Sequence, residues 1–232
     1  MSNPEARGRG VVITGGFGAL GAAVAAAFSA QGDRVVLIDF AKQLPGEFSA
    51  EEAVADVDLS DPTQAQYAMA RAATLLGGID VLVNTAGGYA WELAGPETFL
   101  TLQRMWLGNA ATCFNACVAA LPHMSKGGRI VNVGANAAAK GTAGHSSYAA
   151  AKAAVARITE ALAEESLDRG VAVNAVLPGI IDTLPNRAAM PDADYSAWTA
   201  PAAIADVISF LASPKARAIN GALVPVTAAA QD

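Results

Sequence analysis

Val11-Val12-Ile13-Thr14-Gly15-Gly16-Phe17-Gly18-Ala19-Leu20-Gly21 opens as a β-branched run and closes in a cluster of glycines. The run reads as a buried strand, and the alanine-rich stretch after Gly18 reads as a helix to about Gln31, closed by Gly32. A second β-rich run, Arg34 to Asp39, completes a strand–helix–strand unit. In that context the glycine spacing acquires a meaning. Glycines let the chain turn tightly and approach a diphosphate, while the helix amino terminus offers unpaired N–H groups and the positive end of its dipole. Gly16, Gly18 and Gly21 fit GxGxxG, and Gly15, Gly18 and Gly21 fit TGxxGxxG; a mere tight turn with close helix packing is the bland alternative.

Asp39 weighs against that alternative. It ends the second strand 18 residues past Gly21, where a carboxylate accepts from both hydroxyls of an adenine ribose and repels a 2′-phosphate, so NAD is expected rather than NADP. After a third strand near Ala53 to Val57, Asp58-Leu59 is placed to face the adenine, with Asp56 the competing acid. Asp61-Pro62 then starts a helix that Gly77-Gly78 stops.

Ile79 to Asn84, Arg129 to Val133 and Val171 to Leu177 are apolar enough to be buried on both faces, and the long helical stretches between them supply the crossovers that parallel strands need. The stretch Leu184 to Pro201 breaks the rhythm before a last helix, Ala202 to Ala212, and a last strand, Ala222 to Val226. The expected architecture is one α/β domain over residues 1–232, a Rossmann-type doubly wound parallel sheet of about seven strands with helices on both faces.

Composition agrees with a packed α/β core: 53% of the 232 residues are hydrophobic, 16% charged and 6% aromatic. Fifteen Lys and Arg against 21 Asp and Glu give a formal charge of -6 with no basic run, which argues against nucleic acid as a partner. The start, MSNPEARGRG, has no apolar signal segment, and no stretch is long and apolar enough for a bilayer, so a cytoplasmic protein is expected. Cys113 and Cys117 share a helix face with no further ligand nearby, which predicts reduced structural thiols and no metal. His123 and His145 read as helix-end or loop residues.

Tyr148 and Lys152 sit four apart at the start of a helix and therefore share a face. A free phenol titrates near ~10, so a cation able to favour the phenolate suits a tyrosine that must exchange a proton near neutrality. Following a strand of a sheet that began with a dinucleotide turn, this pair makes the chain resemble the short-chain dehydrogenase/reductase family.

Other segments match that family in order: Asn84-Thr85-Ala86-Gly87, then Asn109, then Pro178-Gly179-Ile180-Ile181-Asp182-Thr183. The resemblance implies cofactor contacts from Gly15, Gly16, Phe17, Gly18, Ala19 and Leu20, from Asn84, Ala86 and Gly87 along the groove, and from Pro178. It further implies that Ile180 and Thr183 address the nicotinamide carboxamide, that Lys152 binds the ribose, and that Asn109 holds a water on a proton path to Lys152. A small-molecule substrate and a homodimer or homotetramer are implied as well.

One departure stands out. The family places a serine 13 residues before the tyrosine, and that position here is Ala135. Alanine occurs there in dihydropteridine reductases, and Ala86-Gly87-Gly88-Tyr89-Ala90, Met105-Trp106, Gly134-Ala135-Asn136-Ala137-Ala138 and Asn186 to Trp198 also resemble that subgroup. Three activities are therefore expected to compete: reduction of a quinonoid or imine-like compound, carbonyl/alcohol oxidoreduction, and non-catalytic NAD(H) sensing. The Tyr148/Lys152 pair argues against the last.

Overall fold

The computed structural model describes residues 8–43 and 53–227. Residues 1–7, on which part of the amino-terminal reading rests, lie outside them. Seven strands form a single sheet in the order β3-β2-β1-β4-β5-β6-β7, and every neighbouring pair is parallel. They are β1 (Gly10–Thr14), β2 (Arg34–Ile38), β3 (Ala53–Val54), β4 (Ile79–Asn84), β5 (Met124–Val133), β6 (Ala172–Pro178) and β7 (Leu223–Val226). The order reverses between β1 and β4, and the chain leaving their paired carboxyl ends runs to opposite faces of the sheet, the place where open α/β sheets form a ligand crevice.

Alternation along each strand divides the core in two. Val11, Ile13, Val81, Val83 and Val131 face α1 (Ala19–Ser29) and α7 (Pro201–Leu211), where Phe28, Ile204, Ile208 and Leu211 meet them. Val12, Leu82 and Ile130 face the other way, toward α2 (Pro62–Leu76), α4 (Thr112–Ala120) and α5 (Ser146–Glu165), with Met69, Cys117 and Val155 among the neighbours. Because β-branched strands are buried on both faces, the sheet needs helices on both, as the sequence implies. Cys113 and Cys117 are free and buried in this second layer, and no metal-binding cluster occurs among the described residues. No helix among them is long and apolar enough to cross a membrane.

Asp61 caps α2 as expected, its carboxylate accepting from Thr63 N at 2.7 Å and Gln64 N at 3.4 Å, and Gly77 closes the helix in the left-handed conformation (φ 70°). Three boundaries differ from expectation. Among the described residues the third strand is Ala53–Val54 and stops short of Val57, because Asp56 takes a positive φ of 58° that breaks the extended run. The strand expected from Arg129 begins at Met124, adding a polar, exposed lead-in. The stretch after Pro178 contains α6 (Leu184–Ala189) rather than continuous loop, with Thr183 as its amino-terminal cap and Pro185 in its first turn.

Candidate active site

Thr14 and Asn84 end the two strands at the crevice, and their side chains turn inward. Thr14 Oγ1 lies 3.1 Å from Asn84 Oδ1, Asn84 Nδ2 donates to Asn132 Oδ1 at 2.9 Å, and Asn132 Nδ2 donates to Thr159 Oγ1 at 2.9 Å. This buried polar chain ties β1, β4, β5 and α5 together, so the Asn84 side chain, expected to line the groove, is engaged inside the sheet. Its place in the site is to carry Thr85, Ala86 and Gly87 outward, and Thr85 Oγ1 fastens that turn to Thr14 O at 2.6 Å.

The glycine turn is close-fitting. Gly15 has φ +66°, and a Cβ there would sit 2.7 Å from the backbone of Ala86; a Cβ on Gly21 would strike Gly15 O. Gly18 enters α1 without a side-chain cap and with no acidic residue in the first turn, so the first N–H groups of that helix face the crevice unpartnered by side chains. An anion fits there. Phe17 N donates to Asp39 Oδ2 at 3.0 Å and Ala41 N to Asp39 Oδ1 at 2.9 Å, so one carboxylate ties the glycine turn to the end of β2. Each oxygen keeps a further lone pair for a ligand hydroxyl.

Of the residues expected near an adenine, Asp58 uses Oδ1 to bind Ser60 N at 2.9 Å and Ser60 Oγ at 2.7 Å, while the rival Asp56 is exposed and paired with Lys42. The Leu59 side chain lies in the core at 4% exposure, so only its backbone is left for a ligand.

At the other end of the crevice α5 presents Tyr148 and Lys152. Lys152 is 6% exposed, and Nζ donates to Val133 O at 2.8 Å. The spacing of the pair predicts that the ammonium acts on the phenol, but the ammonium is drawn instead to the carbonyl that ends β5. Tyr148 is pushed up to about 12, first by burial and then by the nearby Tyr89 phenol. Burial pushes Lys152 down to about 8, with Cys113 acting weakly the other way. A buried ammonium with one acceptor keeps two protons to give, which suits a ligand carrying hydroxyls.

Asn109 sits in a π-helical turn, Trp106–Ala111, between α3 (Thr98–Met105) and α4. Such a bulge re-aims one side chain of an otherwise regular helix. Asn109 Oδ1 accepts from Gly88 N at 3.2 Å, and Nδ2 donates to Gly88 O at 3.1 Å and to Met105 O at 2.9 Å. A Cβ on Gly87 would lie 2.6 Å from Asn109 Oδ1 and 3.2 Å from Lys152 Nζ, so the missing side chain is what lets these groups meet across the turn.

Beyond β6, Pro178 is buried and Ile180 is 46% exposed. Thr183 Oγ1 accepts from Asn186 N at 3.3 Å, which leaves its proton available. The segment after it is braced by a two-pronged Arg187–Asp182 ion pair at 2.6 and 2.7 Å and by Arg187 stacked 4.7 Å from the Tyr195 ring. Ala135 is 5% exposed and has no hydroxyl to offer.

The structure also brings in two residues that spacing did not single out for the site. Tyr89 meets the Tyr148 ring edge-on, with centroids 5.0 Å apart, and its hydroxyl lies 3.1 Å from His145 Nε2. The two are 56 positions apart, so no local pattern joins them.

The family profile for short chain dehydrogenase matches residues 9–193. Among relatives, the chain is 33% identical to 2,5-dichloro-2,5-cyclohexadiene-1,4-diol dehydrogenase of Sphingobium indicum over 237 residues, covering 94% of each chain. It is 36% identical to meso-2,3-butanediol dehydrogenase of Serratia marcescens, over 93% of this chain and 92% of the relative. A short chain dehydrogenase of Burkholderia cenocepacia, solved in complex with NADP, superposes with a TM-score of 0.83 at 30% identity, covering 95% of this chain and 96% of that one. These likenesses support the family as a whole and do not single out the dihydropteridine reductase subgroup.

Proposed function

The chain belongs to the short-chain dehydrogenase family, and from that premise we propose that it is an NAD(H)-dependent oxidoreductase interconverting a small alcohol and its carbonyl compound. The observation that carries this reading is the convergence of Lys152 and Asn109 on Gly87, with Tyr148 one helical turn before Lys152 on α5, at one end of a crevice whose other end holds an uncapped helix start. When bound, the nicotinamide supplies or accepts the hydride. Tyr148 Oη gives its proton to the substrate oxygen in reduction and takes it back in oxidation. Lys152 holds the ribose with the protons that Val133 does not use, and Asn109 fixes the turn at Gly88 and holds a water on the proton path to Lys152.

In this reading Gly15 to Leu20 cradle the diphosphate, Asp39 takes the adenine ribose, Asp58 and Leu59 border the adenine, Ala86 and Gly87 line the groove, and Pro178, Ile180 and Thr183 flank the nicotinamide. The single domain uses residues 184–198 as a lid, and the exposed apolar side chains of α3, α4 and the π-helical turn between them, Phe99, Trp106 and Phe114 among them, are the faces on which a homodimer or homotetramer forms.

Asp39 supports NAD over NADP. NADH should bind at least about tenfold more tightly than NADPH, a difference of roughly 1.4 kcal/mol, because a 2′-phosphate would meet the carboxylate. Asp39→Ala also removes the anchor of Phe17, but that loss weakens both cofactors alike. The ratio of the two affinities is therefore the readout, and it should collapse toward unity. Equal affinities in the wild type would remove the ribose assignment.

Lys152 gives a pH signature. Its group is charged below about 8 and neutral above, so affinity for NADH should be flat from about pH 6 to 7 and fall several-fold by about pH 9. Titrations across that range in Lys152→Met should be flat throughout; a fall of equal size in the variant would assign the dependence elsewhere.

Ala135 favours a second reading, the reduction of a quinonoid or imine-like conjugated compound of the kind dihydropteridine reductases handle. Charge that develops on one oxygen needs a fixed donor, whereas charge spread over a ring does not. A turnover screen with NADH against ketones, quinones and quinonoid dihydropterins separates the two readings.

A further inference from the structure

Outside the Tyr148, Lys152 and Asn109 cluster, the crevice holds one more chain of proton-bearing side chains. Tyr89 Oη lies 3.1 Å from His145 Nε2, and His145 Nδ1 lies 3.0 Å from Thr142 Oγ1 and 3.2 Å from Ala143 O. With the ring proton assigned to Nδ1, facing the Ala143 carbonyl that can only accept, Nε2 accepts from the Tyr89 hydroxyl. The direction of this chain leaves the lone pairs of Tyr89 Oη as its outward face.

The arrangement is held from both sides. Glu92 N donates to Gly144 O at 2.9 Å, the Trp91 ring covers Gly144 and leaves no room for a side chain there, and Tyr89 leans edge-on against Tyr148. Tyr89 is nevertheless 58% exposed, so this fixed acceptor opens onto the space beside the reacting phenol. The two phenols are close enough that Tyr89 raises the cost of ionising Tyr148.

We propose that Tyr89, oriented by His145, is a second anchor for the substrate: its oxygen accepts a hydrogen bond from a hydroxyl next to the reacting carbon. The substrate class is then a vicinal hydroxyketone and the matching diol. This rests on the carbonyl and alcohol reading above. It accounts for the tolerance of alanine at position 135, since a substrate gripped at a neighbouring oxygen is aligned without a third contact at the reacting one. His145 is a positioning residue that acts through Tyr89.

The test compares reduction of 3-hydroxybutan-2-one and butan-2-one with saturating NADH. Tyr89→Phe keeps the ring against Tyr148 and removes the acceptor. It should raise KM for the hydroxyketone about tenfold, the scale of one hydrogen bond, with KM for butan-2-one and the NADH dissociation constant unchanged. His145→Ala should give about half that effect on a logarithmic scale, and His145→Gln, which can still accept from the phenol, should restore most of it.

An equal change on both ketones, or no change on the hydroxyketone, overturns the assignment of Tyr89 while leaving the oxidoreductase reading in place. A wild type that reduces neither ketone, with NADH or with NADPH, overturns the carbonyl reading and the anchor with it.

Discussion

Tyr148→Phe should lower turnover at least ~100-fold while leaving the dissociation constant for NADH within about twofold of wild type. The substitution keeps the ring that Tyr89 meets edge-on and removes only the hydroxyl. Loss of a general acid or base typically costs 10² to 10⁴ in rate. Cofactor affinity should survive because the groups proposed to bind it, the glycine turn, Asp39 and Lys152, do not depend on the phenol; Lys152 is held by Val133 O. Single-turnover rates and fluorescence titrations on both proteins make the measurement. Full activity in the variant would mean that water or another group carries the proton.

The phenol is pushed up to about 12 in this state, which sharpens the expectation. Such a group is a proton donor over the working range, so the demand for the hydroxyl is most direct in the reductive direction. In oxidation the same residue must begin as an acceptor, and Lys152 would have to leave Val133 O and turn toward it.

The fold was legible in the sequence because its signals are local and repeated. Val11 to Gly21 alone contains a strand, a turn and a helix start, and the apolar runs at Ile79, Ile130 and Val173 could only be parallel strands once helices lay between them. Boundaries were less legible where one backbone angle decides them, as at Asp56. The site was half legible. Tyr148 and Lys152 are one helical turn apart, and Asp39 follows the glycine turn at a readable distance, but the spacing alone misread where the ammonium points, since Val133 O belongs to another element. Asn84 looked like a groove residue because it ends a strand at the crevice, yet its amide completes a buried chain to Asn132 and Thr159 that no linear pattern displays. The Tyr89–His145 pair is non-local in the same way, and His145 in isolation is a plain loop histidine.

Ala135→Ser should raise the rate of reduction of a simple ketone such as butan-2-one by one to two orders of magnitude. A serine hydroxyl there would stand two residues past the end of β5, the strand whose last carbonyl holds Lys152. Alanine at this position leaves Tyr148 as the one side chain proposed to donate to the reacting oxygen. Removing a comparable donor from an enzyme costs about 10² to 10³ in rate, and adding one to a site not shaped around it recovers part of that. The gain should be largest for butan-2-one, smaller for 3-hydroxybutan-2-one, which Tyr89 already aligns, and nearly nil for a quinonoid compound whose charge is delocalised. Rates for both variants on all three substrates, with saturating NADH, test the ordering. A uniform gain across the three would show that the serine acts on the cofactor or on Tyr148. A wild type that already turns over butan-2-one at the ~10 s⁻¹ typical of enzymes would show that the missing hydroxyl has been replaced from elsewhere, and the quinonoid reading would then lose the one observation that favours it.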